Sequence, residues 1–362
     1  MKHFLSLVIA TFFMTAPAGA NVLPIIMNVA VEREGDELVI SYDVTDPDNE
    51  AVDIVLRVAG TEFRIEPSAP GVSGDIGQCV ADGPGKTIRL PLSALPDDLP
   101  DGFVPRILAY DGRGYGGEMI AVDSSTGPDF LVCRYELTNE EFAAFVRTDG
   151  YEMMKYWIID DGTVEIEETG WNYAGKFQWQ VPRHWDLKAD PPWSSDPYSN
   201  RATSPVLGVS WFEAYAYCKW AGYRLPSSSE YLEAAGLYEA AYPWGDERMP
   251  TASTTDYPFA NVKFGYKGYE NSGFQSDGSE FAAPVGSYSP AGDSPLGLVD
   301  VLGNAWEWCS DVVAVVDYGT FSCATRPIRG GSWATDMANL DDATKDLCPL
   351  YRTDTAGFRC YK

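Results

Sequence analysis

A chain of 362 residues with 45% apolar and 22% charged residues is long enough for two ordinary domains and carries enough apolar surface to bury their cores. Its 53 Asp and Glu against 26 Lys and Arg leave a net charge of -27, which repels phosphate backbones and anionic lipid and excludes nucleic-acid binding. Only His3 and His184 are present, so a histidine-rich zinc or iron site is excluded as well.

Residues 1–20 read as a signal for export and not as fold. Lys2 and His3 precede an apolar run from Phe4 to Met14, and Ala18-Gly19-Ala20 supplies the small residues of a cleavage site, which puts the mature start at Asn21. The run is too short to anchor in a bilayer, no cysteine follows the cleavage site for lipid attachment, and no later stretch reaches about 18 uninterrupted apolar residues. The expectation is a soluble periplasmic or secreted protein with no membrane span. Export permits disulfides among Cys79, Cys133, Cys218, Cys309, Cys323, Cys348 and Cys360, and their odd number leaves one thiol free or paired elsewhere.

Residues 21–123 contain none of the 11 tryptophans and read as short alternating strands: Glu37 to Val44, Val52 to Val58, Thr87 to Leu92 and Phe103 to Ala109. Asp46-Pro47-Asp48 and Asp82-Gly83-Pro84-Gly85 are predicted turns, and the whole suggests an all-β sandwich of immunoglobulin or fibronectin type. Asp46, Asp48 and Asp53 carry oxygens suited to calcium, but acidic hairpin loops of this kind read as solvated turns.

From residue 124 onward the signals change to short helices among loops. Three capping boxes, Thr138 with Glu141, Ser210 with Glu213 and Ser227 with Glu230, predict three helix starts. After Ser210 the residues Phe212, Ala216 and Trp220, with Tyr215 beside them, recur at helical spacing, which predicts core packing and not a cofactor box. Residues 237–362 are rich in Gly, Pro and aromatics with few periodic runs, so a loop-dominated fold follows, and long loops need staples or ions to offset their conformational entropy.

Seven segments carry a resemblance. They are Tyr135-Glu-Leu-Thr-Asn-Glu-Glu-Phe142, Pro205-Val-Leu-Gly-Val-Ser-Trp211, Ala216-Tyr-Cys-Lys-Trp-Ala-Gly-Tyr-Arg-Leu-Pro226, Pro243-Trp-Gly-Asp246, Gly303-Asn-Ala-Trp-Glu-Trp308, Arg329-Gly-Gly-Ser-Trp333 and Gly357-Phe-Arg-Cys360. In this order, over residues 124–362, they resemble the formylglycine-generating enzyme (sulfatase-modifying factor) family. The resemblance implies an α+β, C-type-lectin-like domain with little regular structure after the sandwich.

The family resemblance also implies two structural calcium ions. Asn261 and Asp277 would offer side-chain oxygens to the first, with backbone oxygens from Val262 and Ser279. Asp300 and Glu307 would offer carboxylates to the second, with backbone oxygens from Val301, Gly303 and Ala305. Calcium takes six to eight hard oxygen ligands, about what such mixed sets on irregular loops provide. The plainer alternative is that these acids are solvated turn residues of an acidic chain.

The family's active site binds copper(I) through two cysteines, and this sequence departs from it there. The matching positions are Thr335 and Leu340, and neither a hydroxyl nor an isobutyl group replaces a thiolate on soft copper(I). No copper is expected. Ser332 and Trp306 match residues that line the family's pocket, so its frame is expected to persist. Iron-dependent relatives use a histidine-rich site, which lone His184 cannot build; it reads as a packed or hydrogen-bonding side chain. The family pattern pairs the cysteine of Ala-Tyr-Cys with that of Gly-Phe-Arg-Cys, here Cys218 with Cys360. The other five cysteines are left open, including a new thiol pair near the old pocket from Cys309, Cys323 and Cys348.

Two functions follow from these residues. One is a secreted module that binds a protein, peptide or small-molecule ligand through the Asp-, Thr- and Ala-rich stretch 334–355. The other is a periplasmic tailoring enzyme of oxidoreductase type, acting on a secreted peptide or siderophore. Asp341 and Asp342 would be its candidate proton carriers, although adjacent loop acids are usually solvated.

Overall fold

The computed structural model describes residues 22–48, 51–95, 103–125, 127–148, 150–159, 170–245, 258–263, 277–317 and 322–362. The signal segment 1–20, Asn21, Asp246 and the side chains of Asp341 and Asp342 lie outside the described parts. No helix among the described residues is long and apolar enough to cross a membrane.

The N-terminal strands are β1 (Ile25–Glu34), β2 (Glu37–Thr45), β3 (Val52–Val58), β4 (Arg64–Ile65), β5 (Ser73–Gly74), β6 (Gly77–Val80), β7 (Gly83–Pro91), β8 (Pro105–Tyr110) and β9 (Tyr115–Gly116). They form two antiparallel sheets in the orders β1-β2-β7-β5 and β4-β3-β8-β9, with β6 also pairing β3. Alternation places Leu38, Ile40, Tyr42 and Val44 of β2 on one face, and they share a buried cluster with Val52, Ile54, Leu56, Val58, Ile88, Leu90, Ile107 and Ala109.

One predicted turn is not a turn. Gly83 to Gly85 opens β7 instead, because Gly83 and Gly85 adopt φ of 122° and 72° and absorb a register slip between Tyr42 and Val44 on β2. The Asp43 carboxylate accepts the Gly85 N–H at 2.7 Å and fixes that bulge. The aspartates near it are also not simply solvated. Asp46 is buried and accepts the Asp48 N–H at 2.9 Å, while Asp53 accepts the Cys79 N–H at 3.0 Å.

The antiparallel pair β10 (Met119–Val122) and β11 (Phe130–Cys133) leads into α1 (Asn139–Arg147), α2 (Gly170–Phe177), α3 (Trp211–Ala221) and α4 (Ser228–Ala234). All three capping boxes form at Thr138, Ser210 and Ser227. Phe212, Ala216 and Trp220 are buried in a large core with Phe142, Phe145, Trp211, Tyr217, Trp306, Trp308 and Phe358, and Tyr215 packs at its margin.

The C-terminal part holds β12 (Trp306–Trp308), β13 (Val315–Asp317), β14 (Ser322–Ala324), β15 (Arg326–Arg329), β16 (Thr344–Leu347) and β17 (Ala356–Gly357). A small sheet runs β16-β15-β12-β17, with β12 and β17 parallel, while β13 and β14 pair separately.

The two regions meet through buried charge. Arg57 of β3 pairs with Glu140 at the start of α1, and Arg106 of β8 lies 3.5 Å from Glu140 and 2.9 Å from Glu141. The Gly60 N–H donates to the Val285 carbonyl at 2.8 Å, and Glu62 accepts the Thr203 N–H at 3.1 Å. Removing one partner of such a pair leaves an uncompensated buried charge, so these contacts fix how the sheets sit on α1.

Candidate functional site

The Arg-Gly-Gly-Ser segment leaves β15 through Gly330 and Gly331, with φ of 92° and 81°. A side chain at Gly330 would lie 2.5 Å from the Tyr231 hydroxyl and 2.9 Å from the Val301 carbonyl, so glycine is required there. Past Gly331 the chain folds back on itself. A Cβ at Gly331 would lie 3.2 Å from Leu340 Cδ1 and 3.5 Å from both Thr335 Cγ2 and Oγ1. The two positions that match the family's copper thiolates therefore converge over Gly331, although they lie five positions apart in the chain.

Their chemistry is closed. Thr335 Oγ1 accepts the Ser332 N–H at 2.9 Å and lies 3.3 Å from Ser332 Oγ, and Leu340 is 2% exposed and belongs to the same large core as Met337, Ile328 and Trp306. Ser332 is 1% and Trp306 3% exposed, so the two expected frame residues are buried here and do not line an open cleft. The Lys345 ammonium sits 4.6 Å over the Trp306 ring.

The same loop is tied to both candidate calcium segments. Thr335 accepts the Lys263 N–H at 3.0 Å, Asn304 accepts the Trp333 N–H at 3.0 Å, and Asn261 accepts the Asn304 N–H at 2.9 Å, each through its carbonyl. At the first segment, Asp277 accepts the Val262 N–H at 2.6 Å and the Ser279 N–H at 3.0 Å, and burial pushes its carboxyl upward. Asn261 donates to the Phe281 carbonyl and to Asn304 Oδ1, while its own Oδ1 is buried with no hydrogen-bond partner among the described residues. A buried orphan oxygen costs on the order of 1 to 3 kcal/mol and suits a cation.

At the second segment Asp300 and Asn304 adopt φ of 55° and 56° around Gly303, which gives the irregular backbone between Val301 and Ala305. Glu307 is fully buried and held by Arg359 through contacts of 2.8 and 2.9 Å. Asp300 accepts the Gly286 N–H at 2.7 Å, and burial pushes its carboxyl up to about 7. The Val301 carbonyl accepts the Tyr231 hydroxyl at 2.6 Å.

A third acid, which sequence reasoning missed, completes this cluster. Glu136 accepts Asn304 Nδ2 at 2.6 Å and the Ala305 N–H at 2.9 Å, and burial, then Asp300 and Glu307, hold its carboxyl well above the usual range. Its only signal was its place in the Tyr135-to-Phe142 segment. Among the described residues no three His, Cys, Asp or Glu side chains gather closely enough to hold a metal by themselves, so an ion at either segment would draw on backbone oxygens.

His184 lies at the edge of this region. Its Nε2 is 2.6 Å from Asp354 Oδ1, which Arg183 also approaches at 3.3 Å, and the Trp333 indole donates to the Asp354 carbonyl at 3.4 Å. Tyr198 stacks on Trp333 at 5.6 Å and meets the His184 ring edge-on at 5.4 Å. Cys218 and Cys360 are buried with their sulfurs 3.4 Å apart, a contact and not a bond.

The family model described as "Sulfatase-modifying factor enzyme 1-like domain" matches residues 109–362. The chain belongs to this sulfatase-modifying-factor family. The match begins before residue 124 and takes in β9 and β10. The formylglycine-generating enzyme of Thermomonospora curvata is 36% identical over 213 residues, 54% of this chain and 64% of that protein. The inactive C-alpha-formylglycine-generating enzyme 2 of Bos taurus is 28% identical over 69% of this chain and 81% of that protein. The hercynine oxygenase of Mycobacterium tuberculosis is 30% identical over 62% of this chain and 50% of that protein. Among solved structures, PvdO from Pseudomonas aeruginosa is similar over 92% of this chain and 97% of that one, at 18% identity and a TM-score of 0.42. The chain spans 64% and 50% of the length of the formylglycine-generating enzymes of Thermomonospora curvata and Bos taurus. Among the described residues the sulfatase-modifying-factor domain has nine short strands (β9 to β17) and four short α-helices, consistent with the loop-rich α+β domain that the resemblance implies.

Proposed function

We propose that this chain is an exported member of the sulfatase-modifying-factor family that lacks formylglycine-generating activity and serves as a ligand-binding or protein-interaction module. The observation that carries this reading is the convergence of Thr335 and Leu340 over Gly331. The positions come together as a two-thiolate site requires, yet one is an alkyl group and the other a hydroxyl already engaged with Ser332. Copper(I) has no soft ligand there, and an oxidase of the family type has no metal on which to activate oxygen.

In this reading residues 1–20 direct the chain to the periplasm or outside. Residues 21–123 form an immunoglobulin- or fibronectin-like sandwich, and residues 124–362 a C-type-lectin-like frame. Two structural calcium ions stabilise that frame, one at Asn261, Val262, Asp277 and Ser279 and one at Asp300, Val301, Gly303, Ala305 and Glu307. Charge supports the second: Glu136, Asp300 and Glu307 are buried with the Arg359 guanidinium, which pairs Glu307 alone, and burial holds the carboxyls of Glu136 and Asp300 towards their neutral forms, so a cation there would take the place of protons. The orphan Asn261 Oδ1 supports the first. Cys218 and Cys360 close a disulfide after export. The ligand is a secreted protein, peptide or small molecule received on the surface around residues 334–355.

A second reading, a periplasmic tailoring enzyme acting on a secreted peptide or siderophore, draws on one observation, the His184–Asp354 pair beside Trp333. A carboxylate-oriented imidazole is an acid–base arrangement. Elemental analysis of the purified protein separates the two readings: about two calcium and no redox metal per chain supports the module, and stoichiometric copper or iron favours the enzyme.

A further inference from the structure

Cys360 has two sulfur neighbours. Cys218 reaches it from α3 with its Sγ at 3.4 Å. Cys133 reaches it from β11, where the C-terminal residues run antiparallel: Leu131 and Lys362 exchange both backbone bonds, Val132 faces Tyr361, and the Cys133 N–H donates to the Cys360 carbonyl at 2.9 Å. Cys133 and Cys360 therefore stand opposite each other in the antiparallel register, joined by that one bond, and opposite residues at a hydrogen-bonded position have Cα atoms about 5.5 Å apart. That lies inside the range a disulfide bridges without backbone movement. The two cysteines also line one cavity of about 10 Å³ with Arg106, Tyr135 and Glu141. Cys218 and Cys360 are buried, whereas Cys133 is only partly so.

We propose that Cys133, Cys218 and Cys360 form a thiol–disulfide exchange site in which Cys360 alternates between the helix partner Cys218 and the strand partner Cys133. This goes beyond the single Cys218–Cys360 link proposed above and rests on it for the starting bond. The first bond forms when Cys218 and Cys360 lose two electrons and two protons to an external disulfide, which is reduced to two thiols. In the exchange step the Cys133 thiolate attacks Cys360 Sγ, the Cys133–Cys360 bond forms, the Cys218–Cys360 bond breaks, and Cys218 leaves as a thiolate that takes up the proton Cys133 gave up. No net oxidation occurs. The hydrogen bond to Cys360 and burial both raise the Cys133 thiol, so exchange runs on a minor thiolate and speeds up about tenfold per pH unit.

The test equilibrates the full-length protein in buffers of oxidised and reduced glutathione, quenches with acid, alkylates, and maps linked peptides without reduction. Both the Cys218–Cys360 and the Cys133–Cys360 peptides are expected from the wild type, with Cys133–Cys360 becoming the sole Cys360 link in Cys218→Ala. Should that variant not fold, the wild-type pair of peptides decides. Recovery of Cys218–Cys360 alone, with Cys133 alkylated at every glutathione ratio, overturns the exchange and leaves the module reading intact. Recovery of Cys133–Cys360 alone, or of no Cys360 link, overturns both the exchange and the pairing on which it rests.

Discussion

Replacing Asp300 by asparagine tests the charge argument at the second calcium segment. Burial raises this carboxyl from the unfolded value of about 3.9 to about 7. A group raised on folding contributes stability that is complete below its unfolded pKa and lost as the pH climbs through its folded pKa. Without calcium, the step from pH ~5.5 to pH ~7.5 therefore removes about 2 kcal/mol from Asp300 alone, a fall of roughly 4 to 8 °C in melting temperature for a domain of this size. Saturating calcium takes the place of the proton, so its stabilisation is larger at the higher pH. Thermal unfolding followed by circular dichroism, in excess chelator and in calcium at both pH values, measures this. In Asp300→Asn the pH step in chelator shrinks by that amount, which separates it from relief of the overall negative charge. A wild-type melting temperature that is flat or rising with pH in chelator, and unmoved by calcium, would refute the reasoning.

Arg359→Met leaves Glu307 buried without its partner and is expected to cost about 3 to 5 kcal/mol in urea unfolding, with a smaller loss in calcium than in chelator because the ion supplies the missing positive charge. An equal loss in both conditions removes calcium from that segment. Thr335→Cys combined with Leu340→Cys is expected to bind one copper(I), read by competition with a chromogenic copper(I) chelator, because both positions already face Gly331. No gain over the wild type means that the frame has shifted.

Much of the domain was legible where local chemistry decides structure. The boxes at Thr138, Ser210 and Ser227 each need only two residues three apart, and the stripe Phe212, Ala216, Trp220 needs only helical spacing. The run Asp82 to Gly85 misled because its glycines signal a turn from composition alone, whereas pairing with β2 and the Asp43 contact decide the strand. Glu136 and Asp354 were missed for a related reason. Nothing near Glu136 in the chain announces that Asn304 and Ala305, more than 100 residues later, will present their N–H groups to it. His184 likewise meets its carboxylate at Asp354 only through the tertiary fold. The proximity of Thr335 and Leu340 could be expected from the resemblance alone, and the backbone turn at Gly330 and Gly331 gives its physical cause.

The most direct measurement of the account's central claim incubates the purified protein with copper and a peptide carrying the sulfatase consensus cysteine, and looks by mass spectrometry for the aldehyde. The account predicts none above a copper-only blank, since the residues at 335 and 340 supply no thiolate. Aldehyde above the blank, lost in Cys309→Ser, Cys323→Ser or Cys348→Ser, would contradict it and locate a thiol site elsewhere in the chain.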